Sequence, residues 1–286
     1  MLGGVFHAAV LFLVAAGLQL VFGVQKILNL ACGSFYALGA YAGVSAVNWA
    51  LGAGAPRPLF PLVLVAAGLA LALIGPVVER VLRPIYERDE SFQLLLTFAL
   101  VLMFEDVIRF VWGPAPHQLG DVYLVYGQLR AGGLVIPVYN LLVIAAGGVI
   151  AALMGGLLTH TRFGRILRAT AENRRMAQAL AVDVTRVYVR VFTLGVALGT
   201  IGGALVIPAT AAVNEMGIEV IVEAFAVVVI GGLGSMRGAV AGALIVGIMR
   251  AVAVAVYPEV EMLAVYVVVI GVLVIRPAGL FAKATA

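Results

Sequence analysis

The sequence predicts an all-α integral membrane protein, a polytopic helical bundle of eight or nine transmembrane helices. Of its 286 residues, 64% are hydrophobic and only 11% are charged, and the mean hydropathy is +1.15. These values lie far from those of soluble globular domains. Apolar runs of about 20 residues, the length that crosses a roughly 30 Å hydrocarbon core, recur along the whole chain. The chain also contains 34 glycines, which is more than its turns require.

The apolar runs account for almost the whole chain, so we expect a single membrane domain over residues 1–286. The first run lacks a positive n-region and a cleavage site, so we interpret it as a retained span. The run at 218–233 is short and ends in a glycine cluster, so it either crosses the membrane or forms a broken or re-entrant helix. The runs are 4–22, 29–52, 59–78, 91–112, 138–158, 191–213, 218–233, 238–256 and 260–276.

The basic residues predict the orientation of the bundle. With nine spans, 14 of the 18 lysines and arginines fall on one side, and seven of them lie in the loop 159–190. The other side keeps only Arg57 and Arg130. Because cytoplasmic loops carry the excess of basic residues, we expect the C-terminus and the loop 159–190 in the cytoplasm and the N-terminus outside. The basic isoelectric point therefore requires no nucleic-acid partner.

Two glycine clusters are candidates for a substrate path. Each contains Gly-Ser followed at a short distance by Gly-Ala, a weak sign of an internal repeat. Transporters built from inverted repeats place discontinuous helices at a substrate site near the membrane midplane. The alternative is that the glycines only allow helices to pack closely. The candidate path residues are Asn29, Gly33, Ser34 and Gly39 in the first cluster and Gly231, Gly232, Gly234, Ser235 and Gly238 in the second.

Charged residues within the predicted spans need partners, because a charge at the bilayer centre costs at least about 2.5 kcal/mol. Glu105 and Arg109 are four residues apart and can pair on one helix, which leaves Asp106 on another face. We favour a structural ion pair over a proton relay. Arg250 either snorkels outward or pairs with a carboxylate elsewhere. The single cysteine and the three isolated histidines predict no disulfide and no metal site.

The sequence contains none of the motifs of an ATPase or a hydrolase. The cluster at Gly231 has Arg237 where a P-loop needs its Lys-Ser/Thr pair, and neither G-x-S-x-G nor HExxH occurs. We therefore expect a protein that is not an enzyme and that has no cofactor.

The densest charge of the chain lies in the segment Arg165 to Ala181. Its basic residues and Glu172 follow a helical stripe, and small and apolar residues lie between them. A helix of this kind suits a contact with another protein. A solvated loop helix or a helix on the membrane surface remains the alternative. Asp183 or Thr185 is expected to cap the next helix.

Three segments in the same order resemble the permease subunits of branched-chain amino acid ABC importers, in particular the shorter permease type. The loop R-A-T-A-E-N-R-R-M-A-Q-A-L-A-V-D at 168–183 is similar to the coupling segment of that family, with Ala181 where glycine is common. Asn29 to Ser34 followed by Gly39-Ala40-Tyr41 resembles the family's N-x-A-x-G-x stretch leading to G-A-Y, although Cys32 replaces a frequent histidine. Val229 to Ser235 resembles its glycine-rich C-terminal signature.

This resemblance implies an ATP-driven importer for amino acids in a bacterial or archaeal cell membrane, with leucine, isoleucine and valine as the family's usual solutes. The implied partners are a second permease subunit in a heterodimer, two cytoplasmic ATP-binding subunits, an extracytoplasmic solute-binding protein and the lipid bilayer. Charge reversal at Arg168 or Arg175 is then expected to uncouple transport. The implied coupling residues are Arg165, Arg168, Ala171, Glu172, Asn173, Arg175 and Ala177.

Two other functions remain open from the residues themselves. A self-sufficient channel or facilitator for a small polar solute such as urea or an amide would use the glycine clusters as its filter. A structural scaffold subunit would use them only for packing. Neither alternative gives a role to the basic loop.

Overall fold

The computed structural model describes residues 2–86, 88–131, 134–257, 259, 261–276 and 279–281. Within these residues the chain is mainly helical, and one short antiparallel hairpin pairs Gln128 with Pro137. The elements are α1 (Leu2–Gln25), α2 (Cys32–Gly52), α3 (Phe60–Leu71), α4 (Gly75–Leu82), α5 (Glu90–Trp112), α6 (Gly120–Tyr123), β1 (Gln128–Ala131), β2 (Leu134–Pro137), α7 (Val138–His160), α8 (Arg162–Glu172), α9 (Arg174–Ala179), α10 (Val184–Val206), α11 (Met216–Gly231), α12 (Met236–Val256) and α13 (Glu261–Ile275).

Each predicted apolar run forms a helix, which confirms a multi-pass helical membrane protein, but the helices differ in length. In the described part of the chain, five are long and apolar enough to cross a bilayer: Leu2–Gln25, the continuous segment Arg57–Ile85, Val138–His160, Val184–Val206 and Met236–Val256. The expected count of eight or nine also included α2, α5, α11 and α13. Helices α2 and α5 carry several polar residues, and α11, with 16 residues, is only about 24 Å long.

Helices α1 and α10 form the centre of the bundle, where close backbone approaches depend on glycine. A Cβ atom on Gly39 of α2 would lie 2.1 Å from the Thr200 carbonyl oxygen of α10. One on Gly203 would lie 1.8 Å from the Tyr36 carbonyl oxygen. Since small residues let helix backbones meet in a membrane, both glycines pack α2 against α10, and a path role for Gly39 stays a prediction.

Helix α10 begins seven residues earlier than the predicted span 191–213. The Asp183 side chain accepts a hydrogen bond of 3.1 Å from the Arg186 backbone N–H and caps the helix, as expected for one of the two candidate residues. Arg186 and Arg190 are exposed on this first part of the helix. The helix ends at Val206, two residues before Pro208, because proline interrupts the helical hydrogen bonds.

The chain between α1 and α2 is irregular and buried within the bundle. Ile27, Asn29 and Ala31 are at most 1% exposed. The Leu28 carbonyl oxygen accepts a hydrogen bond from Thr97, which lies seven residues inside α5. The predicted run 29–52 is therefore helical only from Cys32, and α2 begins at membrane depth. Irregular backbone is tolerated there only when protein or a cavity surrounds it.

The Gly-Ser and Gly-Ala pairs of the two glycine clusters lie where α2 and α12 begin, and these two helices run in the same direction. Contacts between Gln19 and Ser235 and between Gly4 and Gly247 make α12 antiparallel to α1. Helix α10 is also antiparallel to α1, and α2 is parallel to α10. Helices related by an inverted repeat run in opposite directions, so α2 and α12 are not such a pair, and the internal repeat stays a prediction.

Candidate functional site

A sharp elbow joins α7 to α8 and projects α8 from one end of the bundle. The Thr161 hydroxyl donates to the Leu157 carbonyl at 2.6 Å and accepts from the Gly164 N–H at 3.0 Å. A Cβ atom on Gly164 would lie 2.3 Å from the Leu158 carbonyl oxygen, so this turn requires glycine. The Arg168 guanidinium also donates to that oxygen, which ties α8 to the end of α7.

The basic segment is not one continuous helix, which corrects the predicted stripe. The backbone of Asn173 is extended, with φ −149° and ψ 98°, and separates α8 from α9. Its side chain accepts a hydrogen bond of 3.0 Å from the Met176 N–H and caps α9. Asparagine favours such a cap because its short amide satisfies a free N–H group at the helix start. The two helices therefore present two separate faces.

The predicted coupling residues divide into an exposed and an anchoring group. Ala177 is 2% exposed and packs against the bundle, and Ala171 is half-buried. Next to the exposed members lie apolar side chains at 38% exposure for Ile166, 58% for Met176 and 72% for Leu180. We define the elbow surface as Arg165, Ile166, Glu172, Arg175, Met176 and Leu180. The exposed members of the predicted set are Arg165, Arg168, Glu172, Asn173 and Arg175.

Aromatic residues from two other segments support α9. The Arg174 guanidinium lies 5.6 Å from the ring centre of Tyr188, and the Tyr188 and Tyr86 rings meet edge to face at 5.5 Å. The Tyr86 hydroxyl donates to the Glu79 carboxylate at 3.4 Å. Burial and the neighbouring Glu79 charge raise the pKa of Tyr86, so its phenol stays protonated. The elbow therefore lies on a rigid base that includes the turn after α4.

Ala181 adopts a left-handed backbone conformation with φ +60°, at the position where the resemblance predicts glycine. A non-glycine residue in this region costs about 1 to 2 kcal/mol. We expect Ala181→Gly to stabilise the folded protein by about 1 kcal/mol, measured as a higher thermal midpoint in detergent. The matched control is Ala169→Gly inside α8, which should destabilise it by about the same amount. Equal shifts in both variants would contradict the interpretation.

The two glycine clusters lie far apart in the structure. Gly33 contacts α11 at Gly217, where its Cβ atom would lie 2.1 Å from a carbonyl oxygen, whereas Gly231 ends the same helix. About 20 Å of helix separates the two positions. Asn29 is fully buried, and its Oδ1 accepts from the Ala31 N–H. The predicted path residues therefore do not form one shared site.

The second cluster forms a tight turn between α11 and α12. Gly232 and Gly234 have φ values of +92° and +83°, and the Ser235 hydroxyl caps α12 by accepting from the Gly238 N–H. The Gln19 amide of α1 donates to the carbonyl groups of Gly232 and Ser235 at 2.6 and 2.9 Å. Gly231 packs directly on Gly238. In this structure these residues shape a turn, and their hydrogen bonds go to protein groups.

An ionic cluster that the sequence did not reveal joins three helices near the end of the bundle opposite the turn between α11 and α12. Glu223 of α11 lies 2.7 Å from His7 of α1 and 3.0 Å from Arg250 of α12. This confirms the pairing of Arg250 with a carboxylate, one of its two expected solutions. Sequence spacing could not reveal this cluster, because His7 lies more than 200 residues before Glu223 and Arg250.

Removal of Arg250 should destabilise the bundle. The Glu223 side chain is only 14% exposed, so Arg250→Met leaves a largely buried carboxylate with His7 as its remaining partner among the described residues, at an expected cost of about 3 to 5 kcal/mol. The measurement is thermal unfolding of the purified protein in detergent. The double variant Glu223→Gln with Arg250→Met removes both charges and should recover much of the loss. Equal stability of the single variant and the native protein would contradict this account.

The fold and these sites define a multi-pass helical membrane protein with a structured basic elbow. The sequence pattern of the family described as branched-chain amino acid transport system / permease component matches residues 1–275, and the chain belongs to this family. It is therefore a transport permease and is similar over nearly its full length to other permeases of the family.

Three relatives and one solved structure show the extent of the similarity. The high-affinity branched-chain amino acid transport system permease protein BraD of Pseudomonas aeruginosa is 24% identical, covering 95% of this chain and 91% of its own. LivH of Escherichia coli K12 is 25% identical, covering 99% and 94%. A probable LivH of Methanocaldococcus jannaschii is 27% identical, covering 86% and 78%. PsaBC from Streptococcus pneumoniae matches with a TM-score of 0.48 and 11% identity, over 98% and 91% of the chains.

Proposed function

We propose that this chain is the membrane subunit of an ATP-driven importer for branched-chain amino acids. It forms part of the translocation path together with a second, different permease subunit. Two cytoplasmic ATP-binding subunits drive the transport cycle, and an extracytoplasmic binding protein delivers leucine, isoleucine or valine. The N-terminus lies outside the cell membrane and the C-terminus in the cytoplasm.

The elbow surface is the observation that carries this proposal. It combines three exposed apolar side chains with arginines, on two helices held rigidly by Arg168, Asn173 and the Tyr86–Tyr188 contact. A mixed apolar and charged face of this kind suits docking into a groove of a soluble protein. Rigid attachment matters because the elbow transmits force only if it moves together with the helices that it ends.

The positions of the basic segments support the proposed orientation. The Gln25 amide donates to the Tyr188 carbonyl at 3.0 Å, and Tyr188 contacts Tyr86 and Arg174. The end of α1, the turn after α4, the elbow and the start of α10 are therefore neighbours. Their arginines lie at one end of the bundle, which the positive-inside rule places in the cytoplasm.

Gentle extraction of the protein from its native membrane, followed by mass spectrometry of the bound proteins, tests the assembly. Stoichiometric recovery of two ATP-binding subunits and a second permease is the expected result. The isolated complex should then take up labelled leucine into liposomes only with ATP and the binding protein. A chain that purifies alone and conducts urea or an amide without ATP would contradict the proposal and support a facilitator.

A further inference from the structure

A polar cleft lies where α2 begins at membrane depth, between α2, α5 and α11. Ser34 from the first turn of α2 and Glu105 from α5 contribute polar groups to its wall, and Asn214 contributes a third from the segment before α11. The rest of the wall is mainly aliphatic and includes Val101, Ile108 and Ile218. The cleft therefore combines hydrogen-bonding groups with an apolar surface.

Two of the polar groups are buried and have unused hydrogen-bonding capacity. Ser34 is 4% exposed, and its hydroxyl has no hydrogen-bond partner among the residues that the structure describes. Asn214 is 8% exposed and accepts from the Tyr41 hydroxyl at 2.9 Å, which engages its oxygen and leaves its NH₂ group. Both groups lie at the surface of the cleft, where they are available to a water molecule or a solute.

The surface around the cleft is charged, although it belongs to helices in the membrane. Glu105 and Arg109 form an ion pair at 2.8 Å, as the sequence predicted, and Asp106 beside them is exposed. Glu215 and Glu219 are exposed at the start of α11. Asp106 lies six residues before the end of α5, about 9 Å along the helix.

We propose that this cleft forms part of the wall of the translocation path and binds the zwitterionic head group of an aliphatic amino acid. This inference rests on the proposed function. Glu105 accepts hydrogen bonds from the ammonium group, and Arg109 donates to the carboxylate. Ser34 and Asn214 supply the remaining hydrogen bonds, and the aliphatic substrate side chain packs on the apolar part of the wall.

The ion pair explains why one cleft suits this class of substrate. A free amino acid carries both charges on neighbouring carbons, so it can replace each partner of the Glu105–Arg109 pair with its own opposite charge. The excess of carboxylates around the cleft attracts the ammonium end first. An anionic solute lacks this attraction, and an uncharged amide cannot replace the ion pair.

Thiol accessibility in the reconstituted complex tests the proposal. Cys32, the chain's single cysteine, is buried, and Cys32→Ala provides a cysteine-free background for the introduced thiols. Ser34→Cys and, independently, Ile218→Cys then place a thiol in the cleft. Leu153→Cys on α7 is the matched control, because that side chain is 66% exposed but lies on a helix that does not line the cleft. The reagents are a cationic and an anionic methanethiosulfonate.

Both cleft thiols should react, and the cationic reagent should react roughly tenfold faster than the anionic one, because the carboxylates concentrate cations. Leucine should slow the reaction, and Glu105→Gln should weaken both the protection by leucine and the preference for the cation. The thiol at position 153 should remain unreactive in lipid. If both thiols are inert with and without ATP, the cleft is covered by protein and the proposal is wrong. Reaction of the thiols without protection by leucine would also contradict the proposal.

Leucine uptake by the same preparations separates this inference from the proposed function. ATP-driven uptake with inert cleft thiols would leave the importer intact and remove the cleft from the path. Protection by leucine without ATP-driven uptake would support the cleft and contradict the importer.

Discussion

Replacement of Met176 and Leu180 by aspartate should reduce ATP-driven leucine uptake more than tenfold while leaving the membrane bundle folded. These side chains are 58% and 72% exposed, so they contribute little to the core. In the proposed complex they become buried against an ATP-binding subunit. The loss of two buried apolar contacts and the burial of two carboxylates would cost several kcal/mol of binding free energy, enough to separate the subunits. Uptake and co-purification of the ATP-binding subunits are the measurements.

The matched control is Leu129→Asp in β1, which is similarly exposed at 52% but lies in the segment between α5 and α7. It should affect neither assembly nor uptake. Charge reversal at Arg168 or Arg175 is expected to uncouple transport. Arg175→Glu is the more specific test of coupling, since Arg168 also holds the elbow to α7. Normal uptake in the Met176 and Leu180 double variant would exclude the elbow surface from coupling.

Gly203→Val should prevent the bundle from folding. The added Cβ atom would lie 1.8 Å from the Tyr36 carbonyl oxygen and 3.0 Å from the Ala40 backbone nitrogen. These are main-chain atoms of α2, so no side-chain rotation relieves the overlap, and α2 must separate from α10. We expect a loss of at least about 3 kcal/mol, seen as degradation or aggregation on extraction.

Gly148→Val in α7 is the control for this variant, because a Cβ atom there meets no other atom within 4 Å. It should leave expression and the thermal midpoint nearly unchanged. If both variants fold equally well, helix contact at Gly203 does not determine the stability of the bundle.

The sequence by itself determined the class of protein and the position of its basic loop. Helical spans follow directly from apolar length, since a bilayer leaves a spanning segment few alternatives to a helix. The pair Glu105–Arg109 and the cap at Asp183 were also predictable, because they depend on residues three or four positions apart. Such local features need no knowledge of how the helices pack.

Only the tertiary structure decided which distant residues meet. It placed Gly33 and Gly231 at opposite ends of α11, joined His7 to Glu223 and Arg250, and broke the basic segment at Asn173. It also started α2 inside the membrane, where Ser34 faces a cleft. Composition and periodicity predict that a helix is buried, but they do not specify its neighbours. Those follow from the packing of every helix at once, because each close contact fixes the position of the next.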